Sequence, residues 1–192
     1  EAANGCPFCN NWAHNEFLNF GAEKMSKSLG NVVTIRKFVE TYSGAILRHV
    51  LLSVHYRSKL EWTEDSISKA IGEIERIHEF VANLFGTHKK REMDAGECQK
   101  VTKSLEEIKR ELANDFNVPG AMGIFFGVIK DYNRIAKDGV SDEYLNAVRE
   151  VTQFIQMATG LIHSGPDKIL SEFENYTRVN IFLVVADLIV IA

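Results

Sequence analysis

Residues 63–85 read TEDSISKAIGEIERIHEFVANLF. Ile67, Ala70, Ile71, Ile74, Ile77, Val81 and Leu84 recur at intervals of three and four, which puts them on one stripe of a helix with 3.6 residues per turn. Thr63 stands where a hydroxyl can accept from an orphan backbone N–H, and Glu64 and Asp65 fall in the electropositive first turn. The stretch predicts a long amphipathic helix. Its apolar stripe needs partners to be stable in water.

Three downstream segments can supply them: about 97–114, 119–137 and 141–162, the last decaying at Gly160 and at Gly165-Pro166. Pro119 suits a first helical turn, where its missing donor is not needed. The polar, glycine-flanked GTHKKREMDAG of residues 86–96 reads as a loop. Four long amphipathic helices are enough for an antiparallel bundle. Upstream, Ile35, Phe38 and Val39, then Ile46, Leu47, Val50, Leu51 and Val54, predict two short helices meeting near Ser43-Gly44. Before those, a short strand near 17–19 is expected. A lone strand cannot form a sheet, so its partners are expected upstream of residue 1 or in another chain.

With 192 residues, 45% of them hydrophobic and 25% charged, the chain suffices for one ordinary domain, or for one plus a piece of another. A net charge of -4 argues against a surface that grips nucleic acid everywhere, so phosphate binding must be local. The odd set Cys6, Cys9 and Cys98 favours a reducing compartment, with the cytoplasm as the expected location. The chain opens on Glu1 with no basic stretch before an apolar run, so no signal peptide is expected and a trimmed piece of a longer protein is. The final VNIFLVVADLIVIA, residues 179–192, is shorter than the roughly 20 residues of a membrane-spanning helix and carries Asp187. A buried element, a partner-facing surface and a foreign tail stay open for it, and no membrane contact is expected. Cys6-Pro7-Phe8-Cys9 lacks a second pair at ligand spacing, so no metal site is expected there.

Residues 23–31, EKMSKSLGN, hold the local positive charge. A loop with Gly30 to let it flex can swing the ammonium groups of Lys24 and Lys27 over a polyphosphate. Lysine suits this as a compact charge with rotatable donors. Where a carboxylate attacks the α-phosphate of ATP, negative charge grows on the departing pyrophosphate, and lysines there stabilise the transition state more than the ground state. Two lysines alone, however, are ordinary surface chemistry.

The whole string is more specific. WAHNEFLNFGAEKMSKSLGN at 12–31, LRHVLLSVHYRSKLEWTEDSISKA at 47–70 and ELANDFNVPGAM at 111–122, with Asn133 beyond, resemble the cysteinyl-tRNA synthetases, a family of class I aminoacyl-tRNA synthetases. The resemblance runs from about residue 4 to 162. It implies a mainly α chain: the end of a Rossmann-type α/β catalytic domain at 1–33, a helical connector at 34–62, an antiparallel helical bundle that binds tRNA at 63–165, and an apolar tail of unknown role at 166–192. It implies Lys24 and Lys27 as catalytic, and Lys24, Met25, Ser26, Lys27 and Ser28 as the ATP-binding loop. Arg57 and Lys59 become candidate tRNA contacts. ATP with Mg2+, cysteine and tRNA(Cys) are the implied substrates of a monomeric parent enzyme. Its zinc ligands and its nucleotide-cradling half are expected upstream of this chain, which alone is expected to be inactive. The chain departs from the family pattern at Glu16, Ala22, Asn114, Val118 and Gly120.

Two other readings stay open: a related ligase joining cysteine to an amino sugar, suggested by Glu61-Trp62-Thr63, and a non-catalytic helical RNA-binding module. Several residues have simple structural readings. His55, Tyr56 and Arg57 can satisfy the negative end of a helix. Lys89-Lys90-Arg91 reads as a solvated loop that could also meet RNA. Trp12 and Trp62 are expected to pack. Asp115, Phe116 and Asn117 are expected to form a turn before Pro119.

Overall fold

A computed structural model of the chain describes Gly5, Cys9 and residues 12–20, 23–24, 34–92 and 95–162. The apolar tail therefore lies outside the described residues. Among those described, the elements in order are β1 (Leu18–Phe20), β2 (Glu23–Lys24), α1 (Ile35–Thr41), α2 (Gly44–Leu52), β3 (Leu60–Trp62), α3 (Glu64–Leu84), α4 (Ala95–Ala113), α5 (Val118–Ile135) and α6 (Asp142–Thr159). The protein is mostly helical with one small sheet.

Helices α1, α2, α3, α5 and α6 each begin where the sequence offers a cap. Thr34 accepts from Lys37 N–H, Ser43 from Ile46 N–H, Asn117 from Gly120 N–H and Ser141 from Tyr144 N–H. At α3 the cap is reciprocal: Thr63 Oγ1 accepts from Ser66 N–H while Thr63 N–H donates to Ser66 Oγ, both at 3.1 Å. Helix α6 ends at Gly160, whose φ of 63° is the left-handed conformation that glycine adopts without steric cost.

The main core lies among α3, α4, α5 and α6. Its centre is aromatic: Phe80 meets Phe125 at 5.8 Å and Tyr132 at 5.1 Å, both edge to face. Ile77, Ile108, Ile129 and Ile155 fill the layers around it without measurable exposure. Burial pushes the Tyr132 hydroxyl up to about 12. A second, smaller core joins α1, α2 and β3 to the start of α3, through Phe38, Leu47, Val50, Leu60, Trp62, Ile67 and Ala70. Trp62 packs as expected, edge-on to Phe38 at 5.2 Å, whereas Trp12 is 58% exposed beside His14.

The sheet corrects one expectation. Strand β1 finds its partners inside this chain, in the order β2-β1-β3. It pairs antiparallel with β2 and parallel with β3, Leu18 opposite Leu60 and Phe20 opposite Trp62. A parallel pair needs a long crossover, and residues 21–59, including α1 and α2, provide it. Residues 60–62, expected within a helical connector, are thus strand: Leu60 and Trp62 face the small core and Glu61 faces out.

The bundle's dependence on its aromatic centre is testable. Phe80→Ala should lower unfolding free energy by about 3–5 kcal/mol in a urea titration. A loss below about 1 kcal/mol would mean that this ring does not hold the helices together.

Candidate functional site

The lysine string leaves the sheet at β2, where Asn19 pairs with Lys24 and Phe20 with Glu23. Met25, Ser26, Lys27 and Ser28 lie outside the described residues, and Lys24 is described by its backbone alone. What can be followed is the support beneath them. Asn19 Nδ2 donates to Glu61 Oε1 at 3.0 Å across the parallel pair. Two residues before β1, Glu16 N–H donates to the Tyr56 carbonyl at 2.8 Å.

Tyr56 belongs to a second correction. Helix α2 stops at Leu52, so His55, Tyr56 and Arg57 lie in the turns leading to β3 and not at a helix end. Their side chains converge on Asp115, in the turn between α4 and α5. Tyr56 Oη donates to Asp115 Oδ1 at 2.6 Å, Arg57 Nε to Oδ2 at 2.7 Å and Arg57 Nη2 to Oδ1 at 3.3 Å. His55 Nε2 lies 2.8 Å from the Asp115 carbonyl, while Arg57 N–H donates to His55 Nδ1 at 3.3 Å. Together these fix the ring's tautomer: Nδ1 accepts, so Nε2 carries the proton and donates. The Arg57 guanidinium also lies 5.0 Å from the Tyr56 ring centre.

The receiving turn is strained. Asp115 and Phe116 have φ of 53° and 54°. Aspartate tolerates this region; for a residue such as Phe116 it costs roughly 1–2 kcal/mol. Phe116 is 68% exposed, so packing does not repay that cost. The next residue restarts the chain as a helix: Asn117 Oδ1 caps α5 while its Nδ2 donates to Glu111 Oε2 at 2.6 Å. Glycine at 120 suits this arrangement, since a Cβ there would stand 2.5 Å from Asn117 Nδ2 and 2.8 Å from Glu111 Oε2.

The hydrogen bonds from Arg57, then those from Tyr56, hold the Asp115 carboxyl down at about 2, well below its ordinary 3.8. In return, the bond to that carboxylate raises the Tyr56 hydroxyl. The Arg57 side chain keeps 62% of its surface exposed while paired with Asp115, and Lys59 is exposed. Lys90 pairs with Asp142, and Arg91 with Glu97 at 3.4 Å, so these two loop cations are tied to the ends of neighbouring helices.

A groove of about 300 Å³ between α4 and α5 is lined by Glu97, Lys100, Glu107, Asp131, Arg134 and Tyr144, among others. Among the described residues, no group of three or more His, Cys, Asp or Glu is arranged to hold a metal ion. None of the described helices is long and apolar enough to cross a membrane.

Comparison with known proteins agrees with the motifs. Residues 1–72 match the family described as the tRNA synthetases class I (C) catalytic domain, and residues 107–161 match the DALR domain. The cysteine–tRNA ligase of Geobacter sulfurreducens is 34% identical over 182 residues, covering 91% of this chain and 38% of that protein. That of Thermodesulfovibrio yellowstonii is 39% identical over 140 residues, covering 70% of this chain and 29% of that protein. The chain thus spans well under half the length of the curated relatives it matches. Among solved structures, the LeuRS–tRNA–LeuAMS ternary complex of Agrobacterium radiobacter K84 shares the fold, with a TM-score of 0.63 at 13% identity, over 77% of this chain and 21% of that one.

The depressed carboxyl gives a pH test. Its folded value lies below the ordinary 3.8, so the contact's contribution to stability is full above about pH 4 and is lost as pH falls towards 2. Carbon-detected NMR should find Asp115 titrating near 2, and Arg57→Gln should move it back up. A midpoint unchanged in Arg57→Gln would mean that the guanidinium is not the cause.

Proposed function

We propose that the chain belongs to the cysteinyl-tRNA synthetase family and serves a cysteine–tRNA ligase as the part that carries the ATP-side lysine loop and the tRNA-docking bundle. The observation that carries this is the similarity to a cysteine–tRNA ligase along 91% of the chain, with both loop lysines in place. In the parent reaction the carboxylate of cysteine attacks the α-phosphate of ATP, and the bond to the bridging oxygen breaks to release pyrophosphate. A hydroxyl of the terminal ribose of tRNA(Cys) then attacks the carbonyl of the adenylate, and AMP leaves.

Lys27, assisted by Lys24, stabilises the charge that develops on the leaving pyrophosphate, within the loop Lys24–Ser28. Mg2+ accompanies ATP as part of the substrate. Residues 1–33 close the catalytic domain, 34–62 connect it to the bundle, and 63–165 dock tRNA, with Arg57 and Lys59 at the RNA-facing edge of the connector. The stretch Asp115-Phe116-Asn117 and the curated relatives favour tRNA over an amino sugar as acceptor. The parent enzyme works as a monomer in the cytoplasm.

The test is Lys27→Ala in the intact ligase, read by cysteine-dependent ATP–pyrophosphate exchange. The expected loss is on the order of 100-fold, the size seen when one donor to a developing oxyanion is removed. An exchange rate equal to the parent's would sink the assignment of Lys27.

A further inference from the structure

We propose that Asp115 is a positioning residue for aminoacyl transfer: by gripping Tyr56 and Arg57 it fixes the turn between α4 and α5 against the strands from which the lysine loop departs. This rests on the ligase reading above and adds to it a device that couples the two steps of the reaction.

Tyr56 is bonded on both sides. Its carbonyl accepts from Glu16 N–H, two residues before β1, and its hydroxyl donates to Asp115. A single residue thereby links the sheet that launches the loop to the bundle. Arg57 adds two donors to the same carboxylate, and His55 holds the backbone carbonyl behind it. All these donors come from one run of three residues, so the carboxylate is clamped by a unit and not by scattered neighbours.

The clamped turn is not in its default conformation, since both Asp115 and Phe116 are left-handed. A strained geometry persists only where its surroundings over-determine it, and such positions tend to be functional. Folding of the bundle has other supports. The His49–Glu73 contact at 2.6 Å ties α2 to α3, and Arg48 Nη1 donates to the Thr159 carbonyl at the end of α6. Loss of the Asp115 grip therefore leaves the connector docked and frees the orientation of one turn, with its outward Phe116.

Asp115→Asn is the discriminating variant, because asparagine accepts the left-handed backbone while giving up the charge. In the intact ligase the expected result is cysteine-dependent ATP–pyrophosphate exchange within about twofold of the parent, with kcat/KM for tRNA charging reduced about tenfold, as for loss of a hydrogen bond to a charged group. An equal fall in both activities would assign Asp115 to stability alone, and unchanged charging would dismiss the grip; either overturns the proposal. If circular dichroism shows Asp115→Asn unfolded at the assay temperature, Tyr56→Phe, which removes only the hydroxyl that donates to Asp115, is read by the same two assays. Absence of exchange in the unaltered ligase is a separate outcome: it overturns the ligase reading itself and this inference with it.

Discussion

The carboxylate of Asp115, shared by Tyr56 and Arg57, is the contact that orients the turn between α4 and α5 against the connector. It joins segments nearly sixty residues apart in sequence, and does so at the molecular surface, where an ion pair alone adds little to stability. What the geometry adds is direction. A planar guanidinium donating from two nitrogens, together with a phenol on the same carboxylate, restricts the angle of approach in a way that a lysine could not. The left-handed turn that carries the carboxylate is held by that angle.

The sheet sets the other half of the geometry. Strands of two and three residues are too short to stand alone, and here they survive because β3 runs directly into the capped start of α3 while its Leu60 and Trp62 fill the small core. The antiparallel β1–β2 pair then inherits a fixed direction from a parallel partner anchored in helices. A net charge of -4 is compatible with phosphate chemistry on these terms, because the cationic residues need to gather only in the segment that leaves β2.

Helices were legible in the sequence because their signals are local. The periodic stripe from Ile67 to Leu84, the hydroxyl of Thr63 and the break at Ser43-Gly44 each specify structure within a few residues, and the observed α3, α2 and α1 follow them. Strand β3 was not legible: Leu-Glu-Trp has the right alternation, yet three residues carry too little of it to compete with helical neighbours on both sides. The Asp115 contact escaped for a different reason. Cations after α2 have a sufficient local explanation in the helix dipole, and an aspartate near Pro119 has one in turn formation, so nothing within either segment points to the other. The resemblance marked HYRS and DFN as separate family features; only the tertiary structure makes them partners.

Four of the five positions that depart from the family resemblance, Glu16, Asn114, Val118 and Gly120, lie among the described residues. Glu16 serves the Tyr56 carbonyl through its backbone N–H, so the departure from glycine there does not touch the link. Asn114 N–H returns to the Arg110 and Glu111 carbonyls, Val118 N–H to the Phe116 carbonyl, and Gly120 N–H to Asn117 Oδ1. Each is used as a backbone donor, a role that any residue except proline can fill, although at 120 a Cβ would also crowd Asn117 and Glu111. His55, Tyr56, Arg57, Asp115 and Asn117, which lie in the stretches that carry the family resemblance, each work through their side chains.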